Sequence, residues 1–325
     1  MKETKRDQLI DILAQCDEGF ISGQELSRKL EISRTAVWKH INELKKDGYQ
    51  FEAVPKKGYR LLSHPLAVNE TTLKWDLQTK WLGQKLVFKD EVDSTQDIAH
   101  QLAREGAENG TTIIANKQLK GRGRLNRKWV SHHDDGIWMS MIIRPEMAPY
   151  HASQMTLFTA TSLVDTIRKF ADLPIKIKWP NDLFMDGKKF CGILTEMQAE
   201  LDHIEYMIIG IGLNVNQEIN LFPEEIQNKT TSLAAQTQYK WDRIRLIQQL
   251  LADFETNYQE FQACGFSYVK DKWTSNAYKL GERVYIKMPK KSFEATIEGI
   301  TDDGALLVNT ADNIVEKIYS AEIHW

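Results

Sequence analysis

The chain reads as an α+β protein in three parts: a winged helix-turn-helix at 1–64, a mixed α/β domain at 65–275 and an SH3-like β-barrel at 276–325. Three observations predict this. Apolar residues recur at helical spacing through the first fifty residues and then give way to two short strand-like runs. From about residue 65, strand patterns alternate with long helical ones. From Tyr278 onward only short strand-like segments remain.

Each element has its own signal. Leu9, Ile12 and Leu13 place a helix in residues 4–16, and Leu26 and Leu30 a second over Gln24–Leu30. Ser33 is an expected N-cap for a third, with Val37, Ile41 and Leu44 inward and Gly48 at its end. Tyr49–Val54 and Tyr59–Leu62 form a ribbon joined by Pro55-Lys56-Lys57-Gly58. Ser63–Val68, with His64-Pro65, reads as a linker. Beyond it, strands are expected at Leu86–Lys89, Thr111–Asn116, Gly136–Ile143, Ile175–Trp179, Leu183–Met185, Phe190–Glu196 and Tyr206–Leu213. Helices are expected over Thr95–Arg104, Ser153–Phe170 (amphipathic) and Trp241–Gln262. Asp186-Gly187 is a hairpin turn signal. Four strands, Gly281–Met288, Phe293–Ile300, Ala305–Asn309 and Ile314–Tyr319, suit a small barrel.

Bulk properties set bounds. With 325 residues, 42% hydrophobic and 27% charged, the chain can bury a sizeable core. Net charge −3 excludes a polycation, so any nucleic-acid surface must be local. No signal-peptide core and no bilayer-length apolar run is present, and a membrane role is not expected. Cys16, Cys191 and Cys264 fit neither a zinc site nor a disulfide framework, so they read as free buried thiols in a reducing cytoplasm.

The basic surface lies at the front. Residues 28–60 carry nine Lys/Arg against four Asp/Glu. With Val37, Ile41 and Leu44 inward, the third helix presents Arg34, Thr35, Trp38, Lys39 and Asn42 outward, a face that fits a major groove. Gly23 and the wing-tip Lys56 and Lys57 complete the candidate DNA-binding set. A solvated protein-interaction face is the bland alternative.

The chemistry lies in the middle. In Gln118-Leu119-Lys120-Gly121-Arg122-Gly123-Arg124, glycines allow close backbone approach and positive φ, and arginines are forks for carboxylate and phosphate. By itself the run could be a basic surface loop. Lys178-Trp179-Pro180-Asn181-Asp182 adds a lysine that can neutralise developing phosphate charge. Its Asp182 could hold a nucleotide-borne magnesium or position Lys178, and a structural ion pair is the alternative. Lys189 opens a small, apolar strand and can reach into a pocket. Ser94 or Thr95 could equally be a helix N-cap. Gly210-Ile211-Gly212 lacks the third glycine of a dinucleotide fingerprint.

Taken in order, Asp93-Ser94-Thr95-Gln96, the Gly121–Arg124 run with Arg127-Lys128-Trp129, Lys178–Asp182, Lys189 to Glu196, and Gly210 to Asn216 resemble the biotin–protein ligases over nearly the whole chain. With the basic winged helix in front, the chain is similar to the bifunctional members that also repress biotin genes. The resemblance implies a ligase that converts biotin and ATP, with Mg2+, to biotinyl-5′-AMP. The biotinyl group then passes to one lysine of a biotin carboxyl carrier domain, as in acetyl-CoA or pyruvate carboxylase. It implies that Ser94, Thr95, Gln96, Gln118, Gly121, Arg122, Gly123 and Lys189 hold biotin and its activated carboxyl. Arg124 and Lys178 would meet the phosphates, Trp129 would stack near adenine, Asn214 would hydrogen-bond it, and Asp182 would support the metal or Lys178. It further implies a homodimer that grips operator DNA, with the adenylate as corepressor. Leu125-Asn126 departs from the small or basic residues often found there, and altered loop dynamics are expected.

Three other readings remain open at this stage: a ligand sensor with a degenerate ligase domain, a lipoate or octanoyl ligase, and a ligase whose front domain only gates substrate. Intact Lys178, Arg124 and Lys189 weigh against the first, and the Gly121–Arg124 and Lys178–Asp182 motifs against the second. Outward Arg34, Trp38 and Lys39 weigh against the third.

Overall fold

The computed structural model describes residues 4–14, 19–63, 65, 67–289 and 291–324, in two compact units, Met1–Gln78 and Thr79–Trp325. The first unit has helices α1 (Lys5–Ala14), α2 (Gly23–Leu30) and α3 (Arg34–Lys46). An antiparallel ribbon of β1 (Gln50–Val54) and β2 (Gly58–Ser63) follows, then a short α4 (Glu70–Lys74). Ser22 and Ser33 cap α2 and α3, accepting from Glu25 N and Ala36 N, both at 3.1 Å. Leu9, Leu26, Leu30, Val37, Ile41 and Leu44 close one core between the helices. The wing is pinned by paired backbone hydrogen bonds between Ile21 and Tyr59. A Cβ at Gly58 (φ 116°) would lie 2.1 Å from the Ile21 carbonyl oxygen, so glycine is required there. Within the expected linker, Ser63 still belongs to the wing and Val68 is buried, while His64 and Leu66 lie outside the described residues.

The second unit is built on a seven-stranded sheet. Its strands are β3 (Leu86–Val92), β4 (Thr112–Gln118), β5 (Ile137–Ile143), β6 (Lys176–Lys178), β7 (Asp182–Met185), β8 (Lys188–Ala199) and β9 (Ile204–Leu213), in spatial order β3-β4-β5-β9-β8-β7-β6. Only β3 and β4 pair in parallel, because α5 (Thr95–Arg104) makes the crossover between them. Ala99 and Ala103 of α5 pack on Ile113, Ile142 and Ile208 of the sheet.

α6 (Ala152–Phe170) is buried over most of its circumference from Gln154 to Ile167, so it is a central helix rather than the amphipathic one expected. Short helices α7 (Glu224–Gln227) and α8 (Leu233–Thr237) lead to α9 (Arg243–Cys264), whose Phe254, Tyr258 and Phe261 surround the ring of Phe158.

Three further expectations need correction. Gly265 breaks the long helix, and α10 (Phe266–Asn276) follows where no helix was expected. Its Phe266, Val269 and Trp273 are buried at helical spacing, a signal the sequence did contain. The C-terminal sheet has five strands, not four: β10 (Arg283–Lys287), β11 (Ser292–Ile300), β12 (Leu306–Thr310), β13 (Val315–Ile318) and β14 (Glu322–His324), ordered β13-β12-β11-β10-β14. Cys191 is buried and Cys264 exposed, so the thiols are not uniformly internal; Cys16 lies outside the described residues. Among the described residues no helix is long and apolar enough to cross a membrane.

Candidate active site

A cavity of about 690 Å³ opens in the second unit. That is the size class of small-molecule sites. Four segments far apart in sequence converge on it: the start of α5, the loop after β4, the β6–β7 turn with the start of β8, and the end of β9. Ser94, Thr95, Gln96, Gln118, Arg122, Gly123, Arg124, Trp129, Lys178, Asp182, Lys189 and Asn214 all line it. Of the expected residues only Gly121 stands back, pressed between the Ser131 hydroxyl and the Trp129 carbonyl.

At one end, hydrogen bonds fix the wall. Ser94 caps α5, so its expected cap role and its place at the cavity coexist. Gln118 Oε1 accepts from the Thr95 backbone N–H at 2.8 Å and from the Thr95 hydroxyl at 3.1 Å. Gln96 Nε2 donates to the carbonyls of Leu194 and Ile208, and its Oε1 accepts from Ser140. The small residues of the sheet make room for this. A Cβ at Gly210 would meet Gln96 Oε1 at 2.5 Å, and one at Gly212 would meet the Trp129 indole at 2.6 Å. Gly192 faces Gly212 across β8 and β9, so Trp129 lies over a paired glycine floor.

The Gly121–Arg124 loop is a laced turn. Trp129 N–H donates to the Gly121 carbonyl at 2.9 Å, and Gly123 N–H to that of Arg127 at 2.7 Å. Neither glycine adopts positive φ; the left-handed residue is Leu125 (φ 55°), whose side chain is exposed. The expectation that the glycines supply unusual backbone angles is therefore wrong. Gly121 instead supplies close approach, since a Cβ there would lie 2.4 Å from the Ser131 hydroxyl.

The cations of the cavity already have partners. Arg122 Nη2 meets Asp97 Oδ1 at 2.6 Å, and Arg124 reaches Asn181 Oδ1 at 3.2 Å. Arg127 pairs with Glu322 of β14. Lys189 Nζ lies 2.7 Å from Asp182 Oδ1 and 5.1 Å from the Trp129 ring centre. That ion pair is out of hydrogen-bond alignment, which leaves Asp182 Oδ1 without a well-directed donor. Asp182 is thus paired with Lys189, and its charge also acts on Lys178. Burial pulls the Lys178 ammonium down to about 8, helped by the charges of Lys189 and Arg127 and opposed by Asp182. Burial likewise lowers Arg124. Besides Asp182 Oδ1, three buried polar atoms of the lining lack hydrogen-bond partners: the donors Arg122 Nε and Trp129 Nε1 and the acceptor Asn214 Oδ1. Among the described residues no three His, Cys, Asp or Glu converge on a metal-sized site, so Asp182 does not head a protein-held metal set.

Asp97, Glu196, Arg127, Ser131 and Glu322 were not anticipated, although Glu196 and Arg127 stand inside motifs that were. In the first unit, Arg34, Thr35, Trp38 and Lys39 are exposed along α3 with Asn42 half-buried beside them, Lys56 and Lys57 are exposed at the wing tip, and Gly23 opens α2. Lys57 also leans over the Phe20 ring.

The bifunctional ligase/repressor BirA of Bacillus subtilis is 44% identical over 323 residues, covering 99% of both chains. The chain belongs to the bifunctional biotin ligase/repressor family. Its member from Escherichia coli is 28% identical, over 97% of this chain and 95% of that one. Residues 5–60 match a helix-turn-helix domain, 88–214 the biotin/lipoate A/B protein ligase family, and 279–324 the biotin protein ligase C-terminal domain. The biotin protein ligase of Aquifex aeolicus, solved with biotin and ATP, superposes with a TM-score of 0.64 at 31% identity, over 74% of this chain and 97% of that one. The family match thus spans all three parts of the architecture.

Proposed function

We propose that the chain joins biotin to ATP in the cavity, passes biotin to a lysine of a biotin carboxyl carrier domain, and represses biotin genes when the adenylate accumulates. The carrying observation is the clustering of Arg122, Arg124, Lys178 and Lys189 on one cavity whose lining holds buried donors and acceptors without hydrogen-bond partners. Attack of a carboxylate on an α-phosphate brings two anions together. The protein must therefore supply fixed positive charge and alignment. Arg122 and Lys189 face the acid, and Arg124 and Lys178 the phosphates. Trp129 covers the adenine, and Asn214 Oδ1 accepts from it. Ser94, Thr95, Gln96 and Gln118, with the Gly121–Gly123 backbone, shape the biotin end.

Biotin oxygen attacks the α-phosphorus and pyrophosphate leaves; the carrier amine then attacks the acyl carbon and AMP leaves. Magnesium accompanies ATP and shields its phosphates. Asp182, which lines the cavity beside Lys189, would be a carboxylate available to it. Closure of the laced loop keeps water from the adenylate.

Repression follows by linkage. A ligand that orders this loop and favours a homodimer lets two winged helices hold two half-sites together. The domain division is proposed as 1–64, 65–275 and 276–325, and the compartment as the cytoplasm.

Biotin-dependent exchange of labelled pyrophosphate into ATP tests the ligase reading. Exchange with biotin and none with lipoate is expected. Equal exchange with both acids, or none with biotin, contradicts it.

A further inference from the structure

The laced loop carries a contact that the reaction itself does not use. Arg122 leaves the loop toward two carboxylates on separate elements, Asp97 of α5 at 2.6 Å and Glu196 of β8 at 3.6 Å. The same Glu196 oxygen, Oε2, also meets His100 Nε2 at 3.2 Å, one turn along α5 from Asp97. One carboxylate oxygen is therefore shared by an arginine and a histidine. The Arg122 Nε is enclosed and has no partner of its own. Arg122 lines the cavity, whereas Asp97, His100 and Glu196 do not. They are positioning residues and touch no substrate.

We propose that Asp97 and Glu196 form a carboxylate clamp that aims Arg122 at the acid, and that His100 loosens this clamp when it takes up a proton. A guanidinium gripped through one terminal nitrogen by two anions has its remaining N–H groups fixed in direction. Neutral His100 shares Glu196 through an ordinary hydrogen bond. Protonated His100 adds a full charge and competes with Arg122 for Oε2.

Glu196 meets His100 directly, Asp97 lies one turn before it on α5, and the Tyr206 ring of β9 meets it edge-on at 5.9 Å. Arg144 lies over that tyrosine ring at 5.8 Å, and Lys120, paired with Asp93, sends its charge toward Asp97. The His100 contact holds the Glu196 carboxyl below its ordinary range, with Gln96 and Arg122 adding to it and burial opposing.

With His100 neutral the clamp is intact. Once His100 takes up a proton, Arg122 keeps only Asp97 and acid binding weakens. This inference rests on the cavity binding biotin, and the experiment separates the two.

Biotin binding to the full chain is measured by calorimetry from about pH 8 to about pH 5.5. The unaltered chain should lose about tenfold in affinity on going down. Glu196→Gln should already be about tenfold weaker at the high end and show little further loss, with Glu196→Asp recovering part of it. His100→Gln should match the unaltered chain at high pH and hold its affinity at low pH. A chain that binds no biotin at all sinks the site reading. Biotin binding with parallel pH profiles for the unaltered chain, His100→Gln and Glu196→Gln, all three melting alike, overturns the clamp and leaves the site standing.

Discussion

The two cationic regions of this chain spend their charge differently. On α3 and at the wing tip, Arg34, Lys39 and Lys56 are exposed and form no ion pair among the described residues. Around the cavity, Arg122, Arg127 and Lys189 are each held by a carboxylate of the protein, and Arg124 by Asn181. A free surface cation binds a polyanion by releasing counterions, so it is salt-sensitive and tolerant of sequence. A held cation is aimed at its ligand by a fixed partner in a partly desolvated site, where salt screens it less. The first arrangement suits a long duplex and the second a small acid and its nucleotide. A charge count over the whole chain, net −3, hides both.

The largest break in this contrast should come from the held set. Lys189→Met removes a cation from the acid end and leaves Asp182 unpaired. Biotin-dependent pyrophosphate exchange should fall by at least about a hundredfold, as loss of one oriented charge-stabilising group does elsewhere. Exchange within a few-fold of normal would remove Lys189 from the chemistry.

Next comes the floor. Gly212→Ala puts a methyl 2.6 Å from the Trp129 indole, so the ring must move. Separate titrations should show ATP affinity down about tenfold and biotin affinity changed much less.

The pH profile sharpens the account further. A Lys178 held at about 8 carries its charge below that pH and loses it above, so the exchange rate should fall as pH rises through about 8. Lys178→Arg keeps the charge and should flatten that limb. A smaller effect is expected on the free set. Arg34→Ala with Lys39→Ala should reduce the salt slope of duplex binding by about two, at about 0.9 per phosphate contact, and leave pyrophosphate exchange unchanged.

Much of the fold was legible because its signals are local. Ser33 caps α3, α5 spans Thr95–Arg104 as expected, and Asp186 and Gly187 both take the positive φ of a tight hairpin turn. The cavity residues were legible because they fall in ordered motifs, and twelve of the thirteen expected there line it. What was not legible depends on distant partners. Nothing near Arg122 in sequence announces Asp97 or Glu196, and nothing near Arg127 announces Glu322. The three-residue β14 is too short to carry a pattern, and its place is set by pairing with β10. Leu125 was noted for its chemistry, yet its left-handed backbone follows from closing the turn between Gly123 and Arg127.

The central claim is that one chain carries a free cationic surface for DNA and a held cationic cavity for biotin. It is tested by one salt titration read on both ligands: the full chain, with biotin and ATP present, against a duplex from upstream of biotin genes, and against biotin itself. Log affinity for the duplex should fall with log salt at a slope of about −3 or steeper, while biotin binding should change by a slope of less than about one. A flat duplex titration, or equal slopes for the two ligands, would contradict it.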